Sequence, residues 1–505
     1  MNEVAVRFEP RLIDRVSPFL ALAGVLTLVW IPFPVGAAAL VALMAGTVAL
    51  IWPVTIPIAL ILSVPVQDVV QIPVAGFGIT LTQLLVAGTL VGFPIVLLVR
   101  SSRVHFPAVA VALTAYLLVQ IASLTVAANV LYGIATIFRW STALLAFLVV
   151  IHLMANRKAA TLLSYGLFLA AVAEVGFGTV QAALGLAPPS FAVAAGLYRA
   201  YGTFGQPNPF AGYLEMTGFW LAALSLWFLR YAIVLSRRYR RTRLRGFMAS
   251  ASTRRTLVVV SMTAVLFGFG ALVSLVGIVL SFSRGAWVGT LAGLGTLVLL
   301  GPRVVRRLAV AAAFVLLAFL LAGGWDTLPA AVRERTQQLI TQARPFDVRD
   351  VQLTGGNWAV VERMVHWQAA WDMFLDHPWT GVGAGNFSVA FPDYSHHPLF
   401  RIARGHAHNY YLHVLAELGI PGFVSYGAVL ALGVVMIVRV LRCNRSSFDR
   451  SLALGTLAAT TAVLVHNLVE NLHELHLSIQ LFSLWALTWR ASMRWIDTGS
   501  RRWIR

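Results

Sequence analysis

Ten arginines in this 505-residue chain stand apart from its other basic residues: Arg139, Arg199, Arg284, Arg333, Arg335, Arg344, Arg349, Arg363, Arg401 and Arg404. Arg284 lies in SFSRGAWVG (281–289), where one apolar run ends and the next begins almost at once. That spacing puts it at the mouth of a helix hairpin, beside a new helix N-terminus. Free N–H groups, the helix dipole and a guanidinium together make an anion site. The other use of an arginine there is to snorkel toward lipid headgroups. Arg363 and His366 are three residues apart, on one face of an amphipathic helix. Arg139 sits inside an apolar run, where charge is costly. A structural pair with Glu174 on the next run is the expected solution.

Further polar positions cluster nearby. In GTFGQPNPFAGYLE (202–215), Asn208 before Pro209 reads as a helix cap. Glu215 then falls about two turns into the span. Arg199 precedes this motif, and Arg199, Asn208 and Glu215 are taken as substrate-binding candidates. GHAHNYYLHVLAELGIPG (405–422) brings His406, His408 and His413 together, with His396 and His397 just before. Alternate histidines on an extended segment can share a metal, but no H-E-x-x-H-type carboxylate motif accompanies them, so no metal is expected. A histidine at a membrane–water boundary also suits general-base work, since its pKa lies close to working pH. The glycines 381, 383 and 385 follow an amphipathic helix and not a strand, which argues against a nucleotide-binding loop. The single cysteine, Cys443, excludes a disulfide framework.

The elements that must carry these residues are membrane spans. Hydrophobic residues make up 59% of the chain and charged residues 11%, against about 25% charged in soluble domains. Apolar runs long enough to cross a bilayer fall at roughly 16–32, 81–99, 106–126, 131–154, 160–184, 209–236, 256–282, 285–301, 307–323, 419–441, 451–470 and 474–491. The stretch 35–68, broken by Pro53, Pro57 and Pro65, adds up to two short helices or a re-entrant pair. The expectation is an all-α polytopic membrane protein of about 12–14 transmembrane helices, with a large periplasmic loop before the last three spans. Four regions follow: N-terminal spans to 199, central spans 200–323, the loop 324–418, and C-terminal spans with a basic tail 419–505. Amphipathic helices are expected at 329–342 and 358–376. The other 28 of the 38 basic residues fall in seven clusters, at the N-terminus, Arg100/Arg103, Arg157/Lys158, Arg230–Arg255, Arg303–Arg307, Arg439–Arg450 and Arg490–Arg505. These lie at every second loop, which puts them in the cytoplasm. The +19 net charge is then a topology signal and calls for no nucleic acid. The long loop, with seven of the twelve histidines, faces outward.

His408-Asn409, nine residues, Gly419, two residues and Gly422 resembles the signature of the O-antigen ligase family. This membrane superfamily contains O-antigen ligases, O-antigen polymerases and protein O-oligosaccharyltransferases. GTFGQPNPFAGYL (202–214), FSRGAWVG (282–289) and the Arg363/Trp367 helix leading into PWTGVGAGNF (378–387) are similar to the family as well. The resemblance implies a catalytic His408, with Arg284 and Arg363 on the diphosphate of an undecaprenyl-linked glycan donor. His406, Asn409, Tyr410 and Glu417 join the substrate-binding candidates, and His406 or Glu417 is the candidate to orient His408. No cofactor is implied. The implied partners are the lipid-linked glycan, an acceptor glycolipid or glycan, and the bilayer of a bacterial cytoplasmic membrane. A ligase acting on lipid A–core is favoured over a polymerase. A transporter or flippase is the more distant alternative. It would place its unusual polarity at the bilayer midplane, whereas here most of it gathers in the outward segments.

Overall fold

A computed structural model describes residue 44 and residues 46–493, apart from 68, 70, 75–76, 100–103, 195–196, 245–250, 329, 342–345, 350, 355–356, 404 and 445. The first apolar run (16–32), the basic residues before it, Arg100, Arg103, Arg344, Arg404 and the C-terminal tail lie outside the described residues. Helices dominate in chain order. They are α1 (Thr55–Leu62), α2 (Leu81–Val99), α3 (Ala108–Ser123), α4 (Val130–Leu153), α5 (Arg157–Leu184), α6 (Pro207–Leu244), α7 (Ala251–Leu280), α8 (Arg284–Leu300) and α9 (Arg303–Leu321). Next come α10 (Ala330–Thr341), α11 (Trp358–Asp376), α12 (Phe387–Tyr394), α13 (Tyr410–Cys443), α14 (Ser447–His466) and α15 (Leu477–Ser492). The strands form two small antiparallel hairpins, 71–80 and 192–198.

Among the described residues, eight helices are long and apolar enough to cross a membrane, and α3 and α8 are shorter apolar helices. The protein is an all-α, multi-pass membrane protein. In the 35–68 stretch the described residues are helical at 46–51 and again in α1, with the break at Trp52–Val54. Of the two amphipathic helices expected in the long loop, α10 and α11 are the counterparts, and α12 is an addition that the periodicity does not announce.

Small residues let the central spans approach closely, as bilayer packing requires. A Cβ at Gly293 would come within 2.4 Å of the Phe219 ring, and one at Gly289 within 2.7 Å of the Ala462 carbonyl oxygen. These glycines seat α8 against α6 and α14. At the far end from the long loop, Arg157 pairs with Asp449 at 3.0 Å and also donates to Ser446, joining the starts of α5 and α14.

The long loop has an apolar core of its own. Val361, Val365 and Ala369 of α11, Phe387 and Phe391 of α12, and Ala407 pack together fully buried. The loop is locked to α13 at its kink. Gly419 has φ +59°, so the helix breaks there and exposes backbone groups. The turn 378–385 takes them up: Val382 N–H donates to the Ala416 carbonyl, Gly383 N–H to that of Glu417, and Ile420 N–H to that of Pro378. Gly381 (φ +63°) lies so close that a Cβ would come 2.1 Å from the Glu417 carbonyl carbon. Glycine is needed here both for its left-handed backbone and for its lack of a side chain.

Candidate active site

His408 sits on the short connection between the loop core and α13. Its φ is +50°, in the left-handed region that non-glycine residues seldom occupy outside functional sites. Three contacts hold it there. Its own N–H donates to His406 Nδ1 at 3.0 Å, its carbonyl accepts from Trp367 Nε1 at 3.2 Å, and the neighbouring Asn409 caps α13 by accepting from Tyr411 and Leu412 N–H. The Tyr410 N–H is bonded to the Asn467 carbonyl of the α14–α15 connection, which brings that connection under the histidines.

Glu470, on this connection, is the centre of the site. It is buried. Its Oε1 accepts from His408 Nδ1 at 3.2 Å and lies 3.3 Å from His406 Nε2. Because His406 Nδ1 accepts the His408 N–H, the proton of neutral His406 is on Nε2, aimed at Glu470. The proton on His408 Nδ1 leaves Nε2 bare. Oε2 of Glu470 accepts from the Asn208 amide nitrogen, Asn208 Oδ1 accepts from Arg199 at 2.8 Å, and Arg199 Nε donates to the Ser281 carbonyl at 2.8 Å. One hydrogen-bonded chain thus runs from the α7–α8 hairpin, where Arg284 begins α8, to the histidines. Asn208 is not the cap expected of it. Helix α6 starts at Pro207, which leaves the Asn208 side chain to bridge Arg199 and Glu470.

Burial pulls the His408 imidazole down to about 4, His406 and Arg363 push the same way, and Glu470 opposes them. His408 is therefore neutral at pH 7. Burial alone would raise the Glu470 carboxyl, but His408, His406 and Arg363 override it and hold the group well below the usual carboxylate range. Arg363, on α11, donates to the Ala359 carbonyl at 3.0 Å and is near enough for its charge to act on both groups. His366, on the same helix, packs edge-on against His408 with ring centroids 5.4 Å apart, and burial lowers it to about 4.

The remaining candidates take other places. Glu215 bonds His466 Nδ1 at 2.9 Å, and His466 Nε2 lies 3.5 Å from Ser283 Oγ, so this buried pair supports the hairpin turn from beneath. Glu417 accepts from the Gly385 and Phe387 N–H groups and lies 3.5 Å from His413. His408 has Glu470 and not Glu417 as its carboxylate partner. Tyr410 is buried, its hydroxyl 3.1 Å from that of Tyr116. The Arg139–Glu174 pair does not form: Glu174 instead accepts from Thr203 N–H and Oγ1 at 2.9 and 2.6 Å. His396 pairs with Asp372 at 2.5 Å, and His397 Nδ1 accepts the Leu399 N–H.

His406, His408 and Glu470 offer ligand atoms all within 4.8 Å of one another, a spacing that one metal ion could also use. As hydrogen-bonded here, two ring N–H groups point at a carboxylate, an arrangement suited to proton transfer. Sequence reasoning passed over Glu470 and His466. The available signal was the density of polar residues in HNLVENLHELH (466–476), unusual for a connection between two apolar runs.

Residues 269–427 match the model of a family described as O-antigen ligase. No curated protein matches the chain. The matched segment includes Arg284, Arg363 and His408, whereas Arg199, Asn208, Glu215 and Glu470 lie outside it. Over that segment this multi-pass membrane protein carries an O-antigen ligase domain, of the kind found in the superfamily of membrane glycosyltransferases that holds the ligases and polymerases.

Proposed function

We propose that the protein moves a glycan from an undecaprenyl-diphosphate carrier to a sugar hydroxyl of an acceptor, lipid A–core in the favoured case, at the periplasmic face of the cytoplasmic membrane. The observation that carries this reading is the His408–Glu470 pair, tied through Asn208 and Arg199 to the hairpin of Arg284 and within electrostatic reach of Arg363. Glu470 fixes the His408 tautomer and orientation, as the carboxylate of a nucleophile–histidine–carboxylate triad does. The bare Nε2 removes the proton from the acceptor hydroxyl. Its oxygen attacks the anomeric carbon as the bond from that carbon to the phosphate oxygen breaks. The electron pair leaves with the diphosphate, whose charge Arg284 and Arg363 stabilise. The donor is already activated, so no nucleotide enters. Displacement from the face opposite the leaving group inverts the anomeric centre.

Reconstitution tests this. Purified protein receives the lipid-linked glycan, with and without lipid A–core, in EDTA and without ATP, beside a His408→Ala variant. Glycan on lipid A–core only with His408 intact is the expected result. Lengthening of the lipid-linked glycan without lipid A–core identifies a polymerase, the alternative within the superfamily. Activity abolished by EDTA and restored by a divalent cation supports the metal-assisted reading that the His406–His408–Glu470 spacing permits. No transfer to either acceptor, with folded protein and a native donor, overturns the reading in favour of transport.

A further inference from the structure

Beside the His406–His408 pair lies a second polar cavity of about 330 Å³, within the usual range for small-ligand sites of about 300–1,000 Å³. Arg139, Glu417, Glu474, Asn471, Ser388 and Thr136 line it. Glu474 approaches His406 Nε2 to 3.8 Å, and Gly405 also lines the wall, so the cavity adjoins the catalytic pair.

Arg139 projects from the third turn of a membrane span. Among the described residues its guanidinium has no hydrogen-bond or ion-pair partner, although its charge acts on Glu417, His413 and His473. A charge is costly at such a depth unless something uses it. One cation against two carboxylates makes a poor diphosphate site. The same mixture of fixed donors and acceptors suits sugar hydroxyls, each of which both donates and accepts. Tyr132, half-exposed on the same helix, and the exposed Ala135 also border the cavity. The mouth therefore reaches the exposed side of α4, and a headgroup anchored in the bilayer has a way in.

We infer that this cavity binds a sugar headgroup, with Arg139 and Glu474 as its specificity-determining contacts, and that it receives the acceptor. The word acceptor rests on the transferase reading; the affinity for sugar does not.

The test uses full-length protein in lipid nanodiscs. Two probes are titrated calorimetrically into the His408→Ala form, which cannot turn over: the oligosaccharide released from lipid A–core, and the repeat released from the lipid-linked donor. One of them is expected to bind, and Arg139→Gln and Glu474→Gln, each added separately, to weaken it about tenfold. Binding of the intact lipid-linked donor should not move. With His408 restored, the acceptor KM rises about tenfold in each variant and the donor KM stays. Failure of both probes to bind, or unaltered binding in both folded variants, overturns the inference. A rise in donor KM alone does so too. Sugar binding weakened by both variants, in a protein that transfers nothing, sinks the transferase reading and leaves the cavity as a sugar site. If Arg139→Gln does not fold, Glu474→Gln, in a connecting segment, decides alone.

Discussion

Glu470 shows how one buried carboxylate gives several separate residues a common purpose. Its oxygens face N–H groups of two histidines on one side and accept from Asn208 on the other, so its charge is spread over fixed donors and not left isolated. Glu470→Gln keeps the shape and removes the charge that holds His408 Nδ1–H. Transfer should fall by roughly 10²-fold or more, within the scale expected of general-base catalysis, with donor binding little changed. Steady-state kinetics with both substrates checks this. The pH dependence has a definite sign. His408 must be neutral to act and is lowered to about 4, so kcat/KM should hold from pH 7 down past 6 and fall only near 4. An acid limb near 6.5 would assign the base elsewhere. Stability follows the same direction. Between about 4 and the ordinary histidine value, the unfolded chain carries protons on these imidazoles that the folded His408 and His366 refuse. Folding therefore weakens as pH falls through that window, and a thermal midpoint measured in detergent at pH 7 and pH 5 should drop.

At the scale of elements, the site depends on a break in a helix. An unbroken α13 would satisfy its own carbonyls and give the turn 378–385 nothing to bind. Gly419 breaks it, and the freed groups hold the loop core that carries Arg363 and His366 beside His408. Gly381→Ala should therefore harm both stability and activity. It places a Cβ 2.1 Å from the Glu417 backbone at a left-handed residue, and a cost of at least about 1–3 kcal/mol is expected for strain of this kind. Thermal unfolding checks the first effect and transfer kinetics the second. Gly427, where a Cβ would meet nothing within 4 Å, is the control that should tolerate alanine. Sequence periodicity located α10, α11 and most spans, because apolar spacing is a local property. It missed α12 and read Asn208 as a cap, because a helix start and a bridging amide are chosen by distant partners.

The whole molecule places its chemistry at one end. Helix α13 runs from Tyr410 to the exposed Cys443 with its break at Gly419; the part beyond the break, 420–443, spans about 36 Å at the usual helical rise, which exceeds the roughly 30 Å hydrocarbon core. His408 and Cys443 therefore belong on opposite faces of the membrane. If the histidines face the periplasm, an impermeant maleimide should label Cys443, the one cysteine of the chain, in inverted vesicles and not in intact spheroplasts. Labelling in spheroplasts would reverse the proposed orientation. The Arg157–Asp449 pair ties the same far end.

Composition, the spacing of apolar runs and the alternation of arginine clusters determined by themselves that this chain is a polytopic helical membrane protein. The motifs around Arg284, Arg363 and His408 pointed by themselves to the O-antigen ligase domain that residues 269–427 match. Those features are local in sequence and owe nothing to what packs against them. Which carboxylate serves His408 was decided only in three dimensions. Glu417, nine residues away in the helix that follows, faces a backbone turn, whereas Glu470, sixty-two residues away, arrives on another connection. That Arg139 faces a cavity and not Glu174 was likewise decided by packing. Each burial depends on long-range neighbours, and a buried charge is tolerable only where those neighbours, or a ligand, answer it.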